Sequence, residues 1–340
     1  MLKLVKIVGS SLLVVVLIAA AAVVFLSIRP PKMRPASAEK VEATPARMAR
    51  GEYLVHHVSD CVGCHSDHLT RFAMPVKPGT EGQGGFPFDA KLGVPGVICA
   101  QNITSDPEHG LGRWTDGEIL RAFREGVDRN GKELFPMMPY RSFAEMSDED
   151  AKSVVVFLRT LPAVAHAVPK RRIDFPVNLM IKFVPQPLTG PVVAPDDSRD
   201  HLAYGKYIVT IAGCRTCHTA REKGREVAGR DFAGGWEMKG PWGRVVTANI
   251  TPEESTYVGQ ATRAEFIGRF KAFASFTPET MPAAEPGRNT VMPWLAFSGM
   301  TEQDLGAIYD YLRSLPPIRN DVVKFPDAPE NTKPKSTAGG

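Results

Sequence analysis

The sequence predicts an all-α protein in which two copies of one helical unit follow a single apolar N-terminal helix. Three observations predict this fold: an uncharged apolar run near the N-terminus, five short motifs that occur twice in the same order, and helical spacing of apolar residues in each copy. The 340 residues carry a net charge of +4, with 43% hydrophobic and 23% charged residues. This composition excludes a wholly disordered chain, and the small net charge argues against nucleic acid as a partner.

The N-terminal segment, residues 1–35, is predicted to be a signal anchor that forms a transmembrane helix. Residues 7–28 contain no charge, and about 20 apolar residues span the hydrocarbon core of a bilayer. A cleaved signal peptide with its site at 36–38 is the alternative, but its apolar region is usually shorter, about 7–15 residues. Arg29, Lys32 and Arg34 follow the run. The positive-inside tendency disfavours export of the following chain, but the cofactor inferred below requires export.

Two segments, residues 45–165 and 199–318, are predicted to be tandem domains that arose by duplication. Cys61 precedes Met138 by 77 residues and Cys214 precedes Met292 by 78 residues, while each Met precedes a Leu-Pro pair by 23 residues. The paired motifs, in chain order, are Gly51-Glu52-Tyr53 and Gly205-Lys206-Tyr207, Cys61-Val62-Gly63-Cys64-His65 and Cys214-Arg215-Thr216-Cys217-His218, Asn102-Ile103-Thr104 and Asn249-Ile250-Thr251, Met138-Pro139-Tyr140 and Met292-Pro293-Trp294, and Leu161-Pro162 and Leu315-Pro316. Residues 166–198, with six prolines, are predicted to be a semi-extended linker packed on the domains, and residues 319–340 a polar, disordered tail.

Helix start signals recur in both copies. Thr115 with Glu118 and Thr262 with Glu265 predict capping boxes, with helices over 115–127 and 262–273. Ser147 and Thr301 are predicted to cap the last helix of each copy. Gly51 and Gly205 lie on the first helix of each copy and are predicted to let the last helix pack closely against it. The predicted partners are Phe157–Leu158 and Tyr311–Leu312.

Each copy contains a Cys-x-x-Cys-His motif, which is typical of covalent c-type haem attachment. On a helical turn, residues three apart share a face, so Cys61 and Cys64 can both reach one porphyrin while His65 turns its imidazole to the iron. Cys214, Cys217 and His218 repeat this arrangement. The sequence therefore predicts two covalently bound haem c groups.

Three other interpretations of the cysteines compete with haem attachment. A zinc site normally separates its Cys pairs by about 15–20 residues, whereas Cys64 and Cys214 lie far apart in the sequence. A thioredoxin-like pair needs a βαβ context. Disulfides are possible in an exported protein. None of the three explains why His follows both pairs, nor why a Met recurs downstream.

Met138 and Met292 are the predicted axial ligands opposite His65 and His218, because they occupy matching repeat positions. Met137, Met281 and Met74 are rejected because they break the common 23-residue distance to Leu-Pro or lie too near the first motif. Met/His ligation fills both axial positions, so catalysis at iron is not expected. Cys99 is predicted to be a buried small residue. Six other histidines have no matching counterparts and are predicted to be surface residues rather than ligands: His56, His57, His68, His109, His166 and His201.

With these residues in hand, each copy resembles a class I cytochrome c domain. The segments 102–107, 112–116 and 135–140 are similar to the cytochrome subunits of bacterial membrane-bound alcohol, gluconate, sorbitol, fructose, aldehyde and nicotinate dehydrogenases. Typical members of that family have three haems, whereas this chain has two motifs, and its second copy lacks the Asp-Pro that follows Asn-Ile-Thr-Ser in the first.

The resemblance implies a membrane-anchored electron relay at the bacterial inner membrane, with its soluble domains in the periplasm and no enzymatic activity of its own. Its donor would be a periplasmic dehydrogenase or another respiratory donor, and its acceptor a membrane oxidase or quinone. The alternative is a dihaem enzyme such as a peroxidase or thiosulfate dehydrogenase. Such an enzyme needs a displaceable or unusual iron ligand, for which Cys99 is the candidate.

Overall fold

Helices account for most of the regular structure of the chain, as predicted. A computed structural model describes residues 2–222 and 224–329. In this part of the chain the α-helices are α1 (Leu2–Ile28), α2 (Pro45–Tyr53), α3 (Cys61–Cys64), α4 (Asp116–Glu125), α5 (Tyr140–Phe143), α6 (Asp148–Leu158), α7 (Val177–Met180), α8 (His201–Ile211), α9 (Cys214–Cys217), α10 (Tyr257–Gln260), α11 (Arg263–Lys271), α12 (Trp294–Ser298) and α13 (Glu302–Ser314). Short 3₁₀ turns occur at Ala90–Leu92 and Ile181–Phe183.

Short strands accompany the helices, which the all-α prediction did not include. They are β1 (Pro87–Phe88), β2 (Gly96–Cys99), β3 (Arg172–Ile173), β4 (Arg221–Glu222), β5 (Arg225–Glu226), β6 (Glu237–Gly240) and β7 (Gly243–Val246). All pairings are antiparallel: β1–β2–β3 form one sheet, with Phe88 opposite Ile98 and Gly96 opposite Ile173, and β4–β5 and β6–β7 form two hairpins. At two to four residues, these strands are too short for an alternating pattern to reveal them.

Helix α1 contains the apolar run. Its segment Lys6–Ile28 has a mean hydropathy of 3.0, and none of it is buried against the rest of the protein. Within the described residues it is the one helix that is long and apolar enough to cross a membrane.

The helices of the two copies follow the same order. Helices α2, α3, α4, α5 and α6 of the first copy correspond to α8, α9, α11, α12 and α13 of the second. Both predicted capping boxes are confirmed, at the starts of α4 and α11. Each of these helices ends two residues before its predicted end, and in α4 the reason is Gly126, whose left-handed conformation (φ 77°) terminates the helix.

The first and last helices of each copy cross at a glycine, which confirms the packing role predicted for Gly51 and Gly205. A Cβ atom on Gly51 would lie 2.0 Å from the carbonyl oxygen of Ser153 and 2.8 Å from Cβ of Phe157. On Gly205 it would lie 2.3 Å from the carbonyl oxygen of Ala307. Only glycine therefore permits the observed approach of α2 to α6 and of α8 to α13.

The first copy contains one extra residue before its Cys motif, and a π-helical turn takes it up. Tyr53 precedes Cys61 by eight residues, whereas Tyr207 precedes Cys214 by seven. After α2 the chain forms a π-helical turn over Leu54–Val58, closed by the Ser59 amide donating to the Leu54 carbonyl oxygen (2.8 Å). A π-turn is the usual result of one residue inserted into a helix. It lets both copies keep the same packing on either side of the insertion.

Reciprocal hydrogen bonds join the two copies. The Tyr53 hydroxyl donates to Oδ2 of Asp304 (2.5 Å), and the Tyr207 hydroxyl donates to Oδ2 of Asp150 (2.6 Å). Both aspartates are buried in the first turn of the last helix of their copy. One cluster of buried hydrophobic side chains also contains residues of both copies, so the copies share a continuous core.

The linker and the start of the tail both contact the rest of the protein. In the linker, β3 pairs with β2, and the Val192 carbonyl oxygen accepts from the Asp148 amide (2.9 Å). In the tail, the Lys324 carbonyl oxygen accepts from the Val246 amide (2.9 Å). The tail is therefore ordered against the second copy as far as residue 329, contrary to the predicted disorder, and residues 330–340 lie outside the described residues.

Candidate functional site

Each Cys-x-x-Cys-His motif forms a single helical turn. The residue before each turn is left-handed, Asp60 with φ 44° and Gly213 with φ 70°, so the chain bends sharply before the first cysteine. The amide of His65 donates to the Cys61 carbonyl oxygen (3.1 Å), and His218 does the same to Cys214 (2.9 Å). Each histidine thus stands at the end of a turn that carries both cysteines.

Backbone carbonyl groups orient both imidazoles. Nδ1 of His65 lies 2.6 Å from the Gln101 carbonyl oxygen, and Nδ1 of His218 lies 2.8 Å from the Ala248 carbonyl oxygen. Because a carbonyl oxygen only accepts, Nδ1 carries the proton in each ring and Nε2 has the free lone pair that a metal needs. Burial lowers the pKa of both histidines, which favours the same neutral form.

The Asn-Ile-Thr motif fixes the segment that supplies these carbonyls. In the first copy Nδ2 of Asn102 donates to the Val164 carbonyl oxygen (2.8 Å), beyond the last helix, and its Oδ1 accepts from the Thr104 hydroxyl (2.7 Å). In the second copy, Asn249 donates to the Ile318 carbonyl oxygen (2.7 Å) and accepts from Thr251 (2.8 Å). In the sequence this motif is only a repeat landmark, and nothing in its spacing indicates that it holds the segment that orients each histidine.

The thiols of both motifs are accessible at the protein surface to different degrees. Cys64 and Cys217 are exposed and Cys61 and Cys214 are half-buried, yet desolvation raises the pKa of Cys61, Cys64 and Cys214 to about 12. The thiols are therefore reachable from the surface, and we call the surface formed by the two thiols and the histidine of each motif a cleft. All five cysteines lie in the described residues and none forms a disulfide. Nor do the described residues contain a group of three or more His, Cys, Asp or Glu side chains suited to a metal, as the zinc interpretation requires.

Met138 and Met292 have the same local structure. Each is half-buried against the shared core, and each precedes a proline that begins a short helix, α5 or α12. The carbonyl oxygen of each methionine accepts from the amide two residues on, at Tyr140 and Trp294, at 2.8 Å in both copies. Met281, by contrast, is fully buried.

The two motifs lie beside each other. The Ser59 hydroxyl, two residues before Cys61, donates to the Ile211 carbonyl oxygen (3.1 Å), three residues before Cys214. The charge of the Cys217 thiolate also contributes to the raised pKa of Cys64, after burial and the charge of Asp60. The two clefts are thus near neighbours.

The residues present fit a c-type haem in each copy. Each cleft brings two thiols and an imidazole with a free Nε2 onto one turn, and a thioether sulfur lies at the matching repeat position. A buried polar atom without a hydrogen-bond partner lies beside each motif: Nδ1 of His68, whose Nε2 contacts the Gly63 carbonyl oxygen, and Nε of Arg221, whose guanidinium donates to the Thr216 carbonyl oxygen. Unpaired buried polar atoms are rare in native proteins, so a polar group of a bound molecule is expected to satisfy them.

The remaining candidate residues have structural surroundings. Cys99 ends β2 opposite Pro87 and is half-buried, less buried than predicted. Nδ1 of His57 lies 3.0 Å from the Ala296 carbonyl oxygen in the second copy, and His201 lies between Asp197 and Asp310.

Comparison with known proteins gives several relatives, although no family model matches the chain. The cytochrome c subunit of the quinone alcohol dehydrogenase of Gluconacetobacter polyoxogenes is 29% identical over 303 residues, covering 83% of this chain and 59% of that protein. The gluconate 2-dehydrogenase cytochrome c subunit of Pantoea cypripedii is 30% identical over 290 residues, covering 81% and 60%. The chain therefore spans about three fifths of the length of these dehydrogenase relatives.

A third relative matches a larger share of its own length. A dihaem c-type cytochrome of Cereibacter sphaeroides is 31% identical over 237 residues, covering 66% of this chain and 73% of that protein. The two dehydrogenase relatives are both named as cytochrome c subunits, which confirms the expectation of an electron-transfer subunit rather than a catalytic one. The chain belongs to the c-type cytochrome family that contains this dihaem cytochrome and the cytochrome c subunits of alcohol and gluconate dehydrogenases.

Proposed function

We propose that the chain is a membrane-anchored dihaem cytochrome c that relays electrons from a periplasmic dehydrogenase, or another respiratory donor, to an oxidase or quinone in the membrane. The observation that carries the proposal is the pair of adjacent, identically built clefts, each with two thiols on one turn and a histidine oriented by a backbone carbonyl. Tandem class I cytochrome c domains over 45–165 and 199–318 are part of this proposal.

Four residues in each copy would hold the cofactor. Cys61 and Cys64 would attach one haem through thioether bonds, and His65 and Met138 would bind its iron. Cys214, Cys217, His218 and Met292 would do the same in the second copy. Haem c, when bound, supplies reversible one-electron chemistry. The Gln101 and Ala248 carbonyls keep each imidazole in one tautomer and orientation, which raises its basicity as a ligand.

The arrangement of the copies supports transfer between two centres. The Ser59–Ile211 contact and the paired Tyr–Asp hydrogen bonds hold the two motifs close together and limit their relative movement. The exposed Cys64 and Cys217 leave each cleft open to the surface, where a partner could exchange electrons.

Helix α1 supports a membrane location. No residue of its apolar segment is buried in the protein, and the segment has the length to span a bilayer. The folded part would lie on the periplasmic side of the inner membrane, because c-type haem is attached after export.

The proposal is tested on the full chain purified from native membranes. We expect the mass of two haems on the mature polypeptide, and a near-infrared absorption band that reports methionine ligation. Met138→Ala and Met292→Ala should each remove about half of that band, since each copy contributes one methionine–iron bond. Met137→Ala, at the adjacent half-buried residue, is the matched control and should leave the band intact.

Two results would contradict the proposal. A polypeptide without added haem mass would remove its basis. A five-coordinate haem, or turnover with peroxide or thiosulfate, would instead favour the dihaem enzyme.

A further inference from the structure

The linker between the copies contains a short amphipathic segment, residues 175–183, which lies against the end of α1. Helix α7 and the 3₁₀ turn that follows it bury Leu179 and Ile181 against the protein. Large apolar side chains are exposed in the same segment: Phe175, just before α7, is 67% accessible, Met180 50% and Phe183 48%. Three large apolar side chains within nine residues are an unusual display on a protein surface that faces only water.

This segment is fastened to the last turn of α1. Nζ of Lys182 donates to the carbonyl oxygens of Leu26 (3.2 Å) and Ser27. The guanidinium carbon of Arg29 lies 5.3 Å from the centroid of the Phe183 ring, a cation–π contact. Ile28 is the last residue of the apolar run, so Phe183 lies at the level where the chain leaves the hydrocarbon core.

Three positive charges lie beside Phe183. Arg29, Lys32 and Lys182 line one recess beside Phe183, and none of them forms an ion pair with a carboxylate in residues 2–222 or 224–329. Arg34, by contrast, is paired with the buried Glu125 at 2.8 Å. The three unpaired cations lie where phospholipid headgroups would lie if α1 spans the bilayer, and anionic headgroups attract such cations.

We propose that this surface, formed by Phe175, Met180, Phe183, Arg29, Lys32 and Lys182, rests on the outer leaflet of the membrane. The three apolar side chains enter the boundary between headgroups and acyl chains, and the three cations bind anionic headgroups, as interfacial amphipathic helices do. The proposal rests on the membrane anchoring in the proposed function and adds a second point of contact. A helix alone leaves the folded part free to tilt, whereas two contacts fix which face is turned to the membrane.

The surface continues directly from α1, which argues for lipid rather than a protein partner. Every residue of the apolar segment of α1 is exposed except Leu26, which is half-buried. A bilayer that surrounds α1 must therefore meet whatever lies at its base, and the linker segment lies there.

Photo-crosslinking of the full chain tests the proposal. A benzophenone amino acid replaces Phe183 in one variant and Phe276, an exposed aromatic residue of the second copy, in the control. Each variant is placed in nanodiscs of phosphatidylethanolamine with phosphatidylglycerol and in native membranes. We expect phospholipid adducts by mass spectrometry at position 183 and none above background at 276. Protein adducts at 183 in native membranes, or no adduct at all, would overturn the proposal.

Charge-neutralised variants test the cations separately. The triple variant Arg29→Gln, Lys32→Gln, Lys182→Gln should lose the dependence of the adduct yield at 183 on phosphatidylglycerol. The matched triple variant Lys77→Gln, Lys91→Gln, Lys206→Gln, at exposed lysines elsewhere, should keep it. Equal behaviour of the two triple variants would contradict the role of the cations.

Alkaline carbonate extraction separates this proposal from the anchor on which it rests. A chain that stays in the membrane but gives no lipid adduct overturns only the contact surface. A chain that carbonate releases overturns the anchor, and the contact surface with it.

Discussion

Replacing Tyr53 by Phe is expected to destabilise the protein through one buried carboxylate that belongs to the other copy. Asp304 is 3% exposed, and its two oxygens accept hydrogen bonds from Tyr53 (2.5 Å) and Tyr204 (2.6 Å). No cation of the described residues forms an ion pair with it, so these hydroxyls are its main support. Tyr53→Phe removes one of them without leaving a cavity.

The expected magnitude follows from the acceptor's charge and burial. A hydrogen bond to a charged group contributes about 1.5–3 kcal/mol to the free energy of unfolding, and a buried acceptor cannot recover the loss from water. The Tyr53 hydroxyl also accepts from the Thr301 amide (3.0 Å), but Thr301 is exposed and water can replace that bond. We therefore expect a loss of about 2 kcal/mol.

Asp150 provides an internal comparison. It accepts from Tyr207, but Arg50 also binds it with two hydrogen bonds of 2.8 Å each. Because that guanidinium still supports the carboxylate, Tyr207→Phe should cost less than Tyr53→Phe.

Urea unfolding of the full chain, followed by far-ultraviolet circular dichroism, measures both effects. Tyr257→Phe is the control, because its half-exposed hydroxyl donates to the Glu265 carbonyl oxygen (2.9 Å) and should matter by less than about 0.5 kcal/mol. The reasoning is refuted if Tyr53→Phe costs no more than this control.

Two further predictions use the same unfolding measurement. Gly51→Ala should destabilise the protein by about 1–3 kcal/mol, because the new Cβ would meet the Ser153 carbonyl oxygen. The control is Gly268→Ala, whose Cβ would have nothing within 4 Å and which should be neutral or stabilise by about 0.5–1 kcal/mol. Similar losses of stability in the two variants would count against the close crossing of α2 and α6. Hydrogen bonds to Asp310 and then Asp197 raise the pKa of His201, so its contribution is complete below the unfolded value of about 6.5 and fades as pH rises through the higher folded pKa. His201→Gln should flatten the decline of the urea midpoint above about pH 6.5, and an unchanged slope would show that the imidazole is not coupled to folding.

The features that the sequence could predict depend on local spacing. The capping boxes, the helical turn of each Cys-x-x-Cys-His motif and the crossing glycines all follow from residues a few positions apart or from the repeat itself. Matching Gly51 with Gly205 was enough to propose their packing partners, because the same constraint appears twice. The haem ligation inferred from the motifs remains a prediction until it is measured.

The features that it could not predict depend on which surfaces meet. Tyr53 and Tyr207 were visible as repeat landmarks, but nothing in their spacing indicates that each bonds an aspartate of the other copy, about 250 and 57 residues away. Asn102 likewise gave no sign that it fixes the carbonyl group next to His65. Such partners depend on which helices pack against each other, and the spacing of apolar residues along the sequence does not show this.

The reciprocal Tyr–Asp bonds bear on how this chain could evolve or be engineered. Each half donates one hydrogen bond to a carboxylate buried in the other, so a half moved alone into a new protein would leave its buried aspartate without that bond. A substitution at either tyrosine would be felt across the boundary, which favours matching changes in the two halves.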